Sequence, residues 1–248
     1  VDRLKNVKNI CGGLRNTPIN KKKYIFPKCK GYEEQIAKME GLSRLFAFPN
    51  KPTLDNDLTI LDSGAYNLYK NGGHIDKGYM VQLSKHYEKY WNKKVICVAP
   101  DVFLNPMQSM WNMRKWFQNN LFPHVAAVIQ AERMKYIDLN MLKYQVDYYS
   151  NFTEIMFFSN NGLTGEMAKM FKLEELFKYM KETHKVKWIH ILGAGWSLKD
   201  IKDWCTINYF DSLDSIAYYN CSDEEFASTE PIENIKNIIK LMEEINNV

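Results

Sequence analysis

Nowhere in this sequence does an apolar run approach the roughly 18 residues that suggest a membrane-spanning helix, so no helical membrane anchor is expected. The first residues are polar and basic, unlike the apolar centre of a signal peptide. Cysteine is sparse: Cys11, Cys29, Cys97, Cys205 and Cys221 are scattered and odd in number. They form no Cys-x-x-Cys pair and no Cys/His cluster at zinc spacing, which argues against a disulfide scaffold and against structural zinc. Reduced thiols in a cytoplasmic compartment are the expectation. His74, His86, His124, His184 and His190 show no metal-ligand spacing either. His190 is expected within strand seven, where it could line the pocket but reads rather as a core histidine bonded to backbone. Also missing is a glycine-rich phosphate loop after an early strand, which an open doubly wound dinucleotide fold would need. Gly12-Gly13 precedes the first clear strand and reads as a turn.

What is present is an ordinary globular composition. Of 248 residues, 46% are hydrophobic and 25% charged, enough for one substantial core without disulfides or metal. The net charge of +4 is mild but uneven. Between Arg3 and Lys30 the chain is rich in lysine and arginine, with Asp2 the one nearby acid. Residues 1–23 therefore read as a basic arm, suited to phosphate contacts or simply solvated.

Short β-rich runs alternate with helical patterns along the rest of the chain. Strands are expected at Tyr24–Phe26, Leu45–Phe48, Thr59–Asp62, Val95–Asp101, Val125–Gln130, Glu154–Ser159, Trp188–Gly193 and Tyr209–Ser215. Most are continuous apolar runs, the pattern of parallel strands covered on both faces. Between them, Tyr79–Trp91 and Pro106–Phe117 place apolar residues at helical spacing, and a last helix is expected to begin near Pro231. Strand and helix in alternation, eight times over, predict a single-domain α/β chain folded as a (β/α)₈ barrel of the TIM type.

In such a barrel, chemistry sits where strands end, and here the ends are polar. Strand three ends in Asp62-Ser63-Gly64, strand four in Asp101, and strand five in Gln130. Strand six ends in Asn160-Asn161-Gly162, strand seven in Leu192-Gly193-Ala194-Gly195, and strand eight carries Asp211-Ser212-Leu213-Asp214-Ser215. Singly, each has a structural explanation: Asp62 or Asp101 could cap a helix, and Gly193 or Gly195 could permit a turn. Together they would form a ring of half-buried acids and amides, which is costly unless partners or a ligand compensate it.

In order and spacing these motifs resemble the queuine/archaeosine tRNA-guanine transglycosylases and their phage DNA-modifying relatives, from about Thr59 to Tyr219. The resemblance implies an enzyme that exchanges guanine in nucleic acid for a 7-deazaguanine through a covalent aspartyl ester, with no cofactor. It implies Asp62 as general acid/base, with Ser63 and Gly64 beside it at the substrate. Asp101 and Gln130 would read the base, Asn160 and Asn161 would lie beside it, and Gly193 and Gly195 would close the pocket near the sugar. For the nucleophile, distance from Gly195 favours Asp211. The run Asp214-Ser215-Ile216-Ala217-Tyr218 favours Asp214, the residue expected to serve. Because three residues along a strand reverse the facing of a side chain, only one of the two should point into the barrel.

Departures are visible too. Ala65-Tyr66-Asn67 stands where the family has Gly-Phe-Gln, and Ala131-Glu132 follows Gln130 where glycines are common. The family's three-cysteine, one-histidine zinc site has no counterpart. The expected partners are nucleic acid, with DNA favoured over tRNA, and a free 7-deazaguanine base. No membrane partner is expected, the oligomeric state is left open, and the location is cytoplasmic (host cytoplasm for a phage-encoded chain). The alternatives are a tRNA enzyme, a non-catalytic nucleic-acid-binding subunit, and a barrel enzyme acting on a free nucleoside or other small metabolite.

Overall fold

A computed structural model of the chain describes residues 24–27, 43–52, 58–196, 198–205, 209–215, 240 and 243–244. The basic arm, Gly12-Gly13 and the expected helix start at Pro231 lie outside the described residues.

Eight strands form one sheet in the order β1-β8-β7-β6-β5-β4-β3-β2. They are β1 (Tyr24–Pro27), β2 (Arg44–Ala47), β3 (Thr59–Asp62), β4 (Val95–Val98), β5 (Val125–Ile129), β6 (Ile155–Ser159), β7 (Trp188–Leu192) and β8 (Ser212–Ser215). Every neighbouring pair is parallel. The end strands β1 and β2 approach one another, so the sheet curls into a nearly closed barrel. Between the strands run α1 (Ala65–Lys70), α2 (Lys77–Tyr90), α3 (Pro106–Gln118), α4 (Leu139–Tyr149), α5 (Gly165–Met170), α6 (Leu173–Glu182) and α7 (Leu198–Cys205). The architecture is the expected (β/α)₈ barrel. No helix among the described residues is long and apolar enough to cross a membrane.

The strands begin close to where their apolar runs begin, and β3, β6 and β8 run into their polar ends while β4 and β5 stop short of theirs. β4 ends at Val98, leaving Ala99, Pro100 and Asp101 as loop, and β5 ends at Ile129, one residue before Gln130.

Period-two alternation divides the core into two layers. Ile60, Ile96, Val98, Ala126, Val128 and Phe157 pack together inside the barrel, with Leu45, Trp188 and Leu192 against them. Their neighbours Leu61, Cys97, Ala127, Ile129, Met156, Phe158, Ile189, Ile191 and Leu213 face outward into the shell of helices. This alternation decides which rim residues look into the mouth. Asp62 shares the facing of Ile60, His190 that of Trp188 and Leu192, and Asp214 lies two residues from the outward Leu213's inward neighbour Ser212.

Candidate functional site

The site begins at the end of β3, where the chain must turn sharply. Gly64 makes the turn at φ 80°, and a Cβ there would sit 2.7 Å from the Phe48 carbonyl oxygen, so the position admits only glycine. The turn aims the Gly64 N–H back at Asp62, whose Oδ2 accepts it at 3.0 Å. Ser63 is locked in place: its carbonyl accepts the Tyr79 hydroxyl from α2 at 2.5 Å. Its own hydroxyl donates to Oδ1 of Asp101 at 2.6 Å. Neither Asp62 nor Asp101 caps a helix; α1 has Gly64 at its cap position.

Burial raises both carboxyls above the ordinary acid range. Asp62 is lifted to about 6, first by desolvation and further by the negative charge of Asp214, against the pull of the Gly64 N–H. Asp101, 8% exposed, is lifted to about 7 by desolvation and by the charge of Asp62, with the Ser63 hydrogen bond opposing. Burial and the same two carboxylates also push the Tyr79 phenol upward, so it stays a hydrogen-bond donor. Asp62, distant in sequence from both, thus feels the charge of Asp214, and Asp101 feels that of Asp62.

Across the mouth, the carboxylate of Asp214 is held on one oxygen. Oδ1 accepts the Gly193 N–H at 2.8 Å and lies 3.2 Å from His190 Nε2. The Asp214 carbonyl accepts the Ala194 N–H at 2.9 Å. Gly193 takes φ 64°, the left-handed conformation that brings its N–H round to the carboxylate, and no atom lies within 4 Å of where a Cβ would stand. Gly195 is exposed and likewise borders open space.

Asp211 is placed differently. It precedes β8 with the facing of Leu213, outward and at the other end of the barrel. Its Oδ2 accepts both Lys181 Nζ from α6 and the Ile189 N–H, each at 2.7 Å. The alternative nucleophile is thus an anchor between strand and helix. The structure does not bring it together with Asp62.

Gln130 also departs from its expected role. It is fully buried, and its amide is committed to the loop between β4 and α3. Nε2 donates to the Val102 carbonyl at 3.0 Å and to Ser109 Oγ at 2.9 Å, while Oε1 accepts the Leu104 N–H at 2.8 Å. Its backbone is clasped in turn by the Gln145 amide of α4, at 3.0 and 2.9 Å. With both N–H groups used, Gln130 has no donor to spare for a base edge. It braces the loop that follows Asp101.

The two asparagines knit adjacent loops. Asn160 Nδ2 donates to the Leu163 and Gly193 carbonyls at 2.8 and 3.3 Å. Asn161 adopts φ 49°, a left-handed turn that asparagine tolerates better than most residues. Its side chain bridges Ser159 Oγ, at 2.7 Å, and the Ala131 carbonyl, at 3.3 Å. The Asn-Asn-Gly sequence thus makes the tight turn itself, and Asn160 supports the Gly193 loop beneath Asp214.

Sequence reasoning missed His190 as a partner of the acid. It is fully buried, and its ring meets two side chains: Asp214 on one nitrogen and Ser212 Oγ, at 2.7 Å, on the other. The signal was there in parity. Positions 188, 190 and 192 share one face of β7, positions 212 and 214 share one face of β8, and the two strands are neighbours.

Chemically, the mouth offers one carboxylate oriented by fixed donors, a second carboxyl that titrates near neutrality, and a third that can accept from paired N–H donors. Among the described residues no group of His, Cys, Asp or Glu is arranged to hold a metal ion. No family model matches the chain, and no curated protein matches it.

Proposed function

We propose that this chain is a base-exchange transglycosylase, replacing guanine in a polynucleotide by a 7-deazaguanine through an ester of Asp214. The observation that carries the reading is the pairing of Asp62 and Asp214 at the barrel mouth. An acid raised to about 6 by burial, with the charge of Asp214 contributing, and a second carboxyl held through Oδ1 by the Gly193 N–H suit retaining glycosyl transfer, which uses two neighbouring carboxyls. Asp214 attacks C1′ as the bond from C1′ to the base nitrogen N9 breaks. The bonding pair leaves with the base, and Asp62 supplies the proton the departing guanine needs. The incoming 7-deazaguanine then gives its N9 proton to the Asp62 carboxylate, N9 takes C1′, and the ester to Asp214 breaks. The phosphodiester chain is untouched throughout.

Guanine and 7-deazaguanine share an edge with N1–H and the exocyclic amine as adjacent donors, which suit the two oxygens of an ionised Asp101. A nucleotide must leave the stack to reach a barrel mouth, at a cost of a few kcal/mol. The lysine-rich first thirty residues can offset that cost through phosphate contacts.

DNA is the favoured polymer and tRNA the alternative. The test is incorporation of labelled guanine into duplex DNA and into tRNA, with denaturing electrophoresis for a covalent protein–polynucleotide adduct. Incorporation with an Asp214-dependent adduct in either polymer is the expected result. Binding without incorporation would make the chain a nucleic-acid-binding subunit. Exchange on free nucleosides alone would make it a small-metabolite enzyme.

A further inference from the structure

Trp188, Ser212, His190 and Asp214 form a chain of hydrogen bonds that runs up the inside of the barrel between β7 and β8. Trp188 Nε1–H can only donate, and it lies 2.9 Å from Ser212 Oγ. Ser212 therefore accepts from the indole, and its own hydroxyl proton is free to point at His190 Nδ1, 2.7 Å away. An imidazole that accepts at Nδ1 carries its proton on Nε2, and Nε2 lies 3.2 Å from Asp214 Oδ1. With the proton on Nδ1 instead, a nitrogen lone pair would face a carboxylate oxygen. His190 and Ser212 are both fully buried, and Phe157 packs against the imidazole with ring centroids 4.6 Å apart, so the ring is held in one orientation.

We propose that His190 is the positioning residue for Asp214. Its Nε2–H, with the Gly193 N–H, fixes Oδ1 and leaves Oδ2 as the oxygen that attacks C1′. The proposal rests on reading Asp214 as the nucleophile. The geometry supplies the reason one oxygen is chosen. Both donors converge on Oδ1, whereas among the described residues Oδ2 accepts no hydrogen bond, and the side chain is 20% exposed. An attacking carboxylate free to rotate would present either oxygen at many angles, whereas one clamped through a single oxygen presents the other along one line. Ser212 and Trp188 act one and two steps removed, setting the tautomer as outer partners set the tautomer of a functional histidine.

Two arms test this. The first needs no turnover: nitrogen-15 resonances of the His190 ring in the full-length protein. The expected pattern is a protonated Nε2, with Nδ1 shifted on Ser212→Ala and Nε2 shifted on Asp214→Asn. A bare Nε2 overturns the proposal whether or not the protein exchanges bases. The second arm compares His190→Phe, which keeps a ring but has no donor, with His190→Gln, which keeps an N–H. His190→Phe should lower kcat and the single-turnover rate of adduct formation by about ten- to a hundredfold, with KM for the free base nearly unchanged. His190→Gln should recover part of the loss. Full-rate adduct formation in His190→Phe overturns the proposal, as does an equal loss in both variants when thermal unfolding shows both folded. If the wild-type protein transfers no base at all, the transglycosylase reading fails, and the resonances alone decide whether His190 clamps Asp214.

Discussion

The Ser63 hydroxyl donates a 2.6 Å hydrogen bond to Oδ1 of Asp101, tying the end of β3 to the end of β4. The same serine receives Tyr79 on its carbonyl, so a recessed acid is braced through Ser63 by α2. That bond favours the ionised carboxylate, while burial and Asp62 oppose it, and Asp101 is left titrating at about 7.

The affinity for free guanine or 7-deazaguanine should therefore depend on pH. Pairing with two N–H donors needs the ionised form of Asp101, and that form is depleted below its raised pKa. Affinity should plateau above neutrality and fall about tenfold per pH unit well below it. In Asp101→Asn affinity should be low and nearly independent of pH over that range. Equilibrium titrations from about pH 5.5 to 8.5 check this, and a flat wild-type profile removes Asp101 from base recognition.

The same shifts make a prediction about stability. Asp62 and Asp101 have folded-state values near 6 and 7, above the unfolded value of 3.8. Between those limits the folded protein binds more protons than the unfolded chain, so these groups lower stability as pH rises from about 4 to 7. Asp101→Asn removes one buried charge and should raise Tm at pH ~8, by a gain on the order of 2 kcal/mol. The difference between variant and wild type should shrink towards pH ~5. Thermal unfolding at the two pH values measures it; a difference that grows towards acid pH contradicts the assignment.

Asp211 and Asp214 should separate stability from chemistry. Asp211→Ala strips Lys181 and the Ile189 N–H of their acceptor, which should cost about 1–3 kcal/mol and leave the covalent adduct intact. Asp214→Ala should abolish the adduct with a smaller change in Tm. Denaturing electrophoresis beside thermal unfolding reads both, and loss of the adduct in a folded Asp211→Ala protein would reverse the assignment.

Gly64→Ala should act twice. The positive φ and the Phe48 carbonyl 2.7 Å from the new Cβ should cost about 1–3 kcal/mol. Displacing the Gly64 N–H also removes the bond that favours ionised Asp62. The Asp62 pKa should rise, and because Asp62 must hold a proton when the guanine departs, the alkaline-side inflection of the adduct-forming rate should move to higher pH. A pH–rate profile with an unmoved inflection would dissociate Asp62 from that limb.

Gln130→Leu should free the loop after Asp101 rather than alter base selectivity. Hydrogen exchange at residues 102–104 should accelerate, because Leu104 loses its acceptor and Val102 its donor. Unchanged protection there, with selectivity altered, would return Gln130 to the base-reading role.

Much of this was written in the sequence. Continuous apolar runs such as Val125–Ile129 and Ile155–Ser159 require cover on both faces, and their alternation with helices leads to the barrel. Strand ends named the acids, because a run of buried residues that stops at Asp62 or just before Asp101 must put those side chains at the rim. The period of two meant that only one of Asp211 and Asp214 could face into the barrel. It was tertiary structure that separated the two, by setting β8 beside β7, where Gly193 and His190 meet Oδ1 of Asp214 while Lys181 pairs with Asp211 from outside. The hydrogen-bond partners of Gln130 and His190 were decided at that level too. A side-chain amide or imidazole can serve a ligand or brace a loop equally well. Which it does depends on which donors and acceptors the folded chain places within about 3 Å of it, and those partners come from segments that sequence order keeps apart.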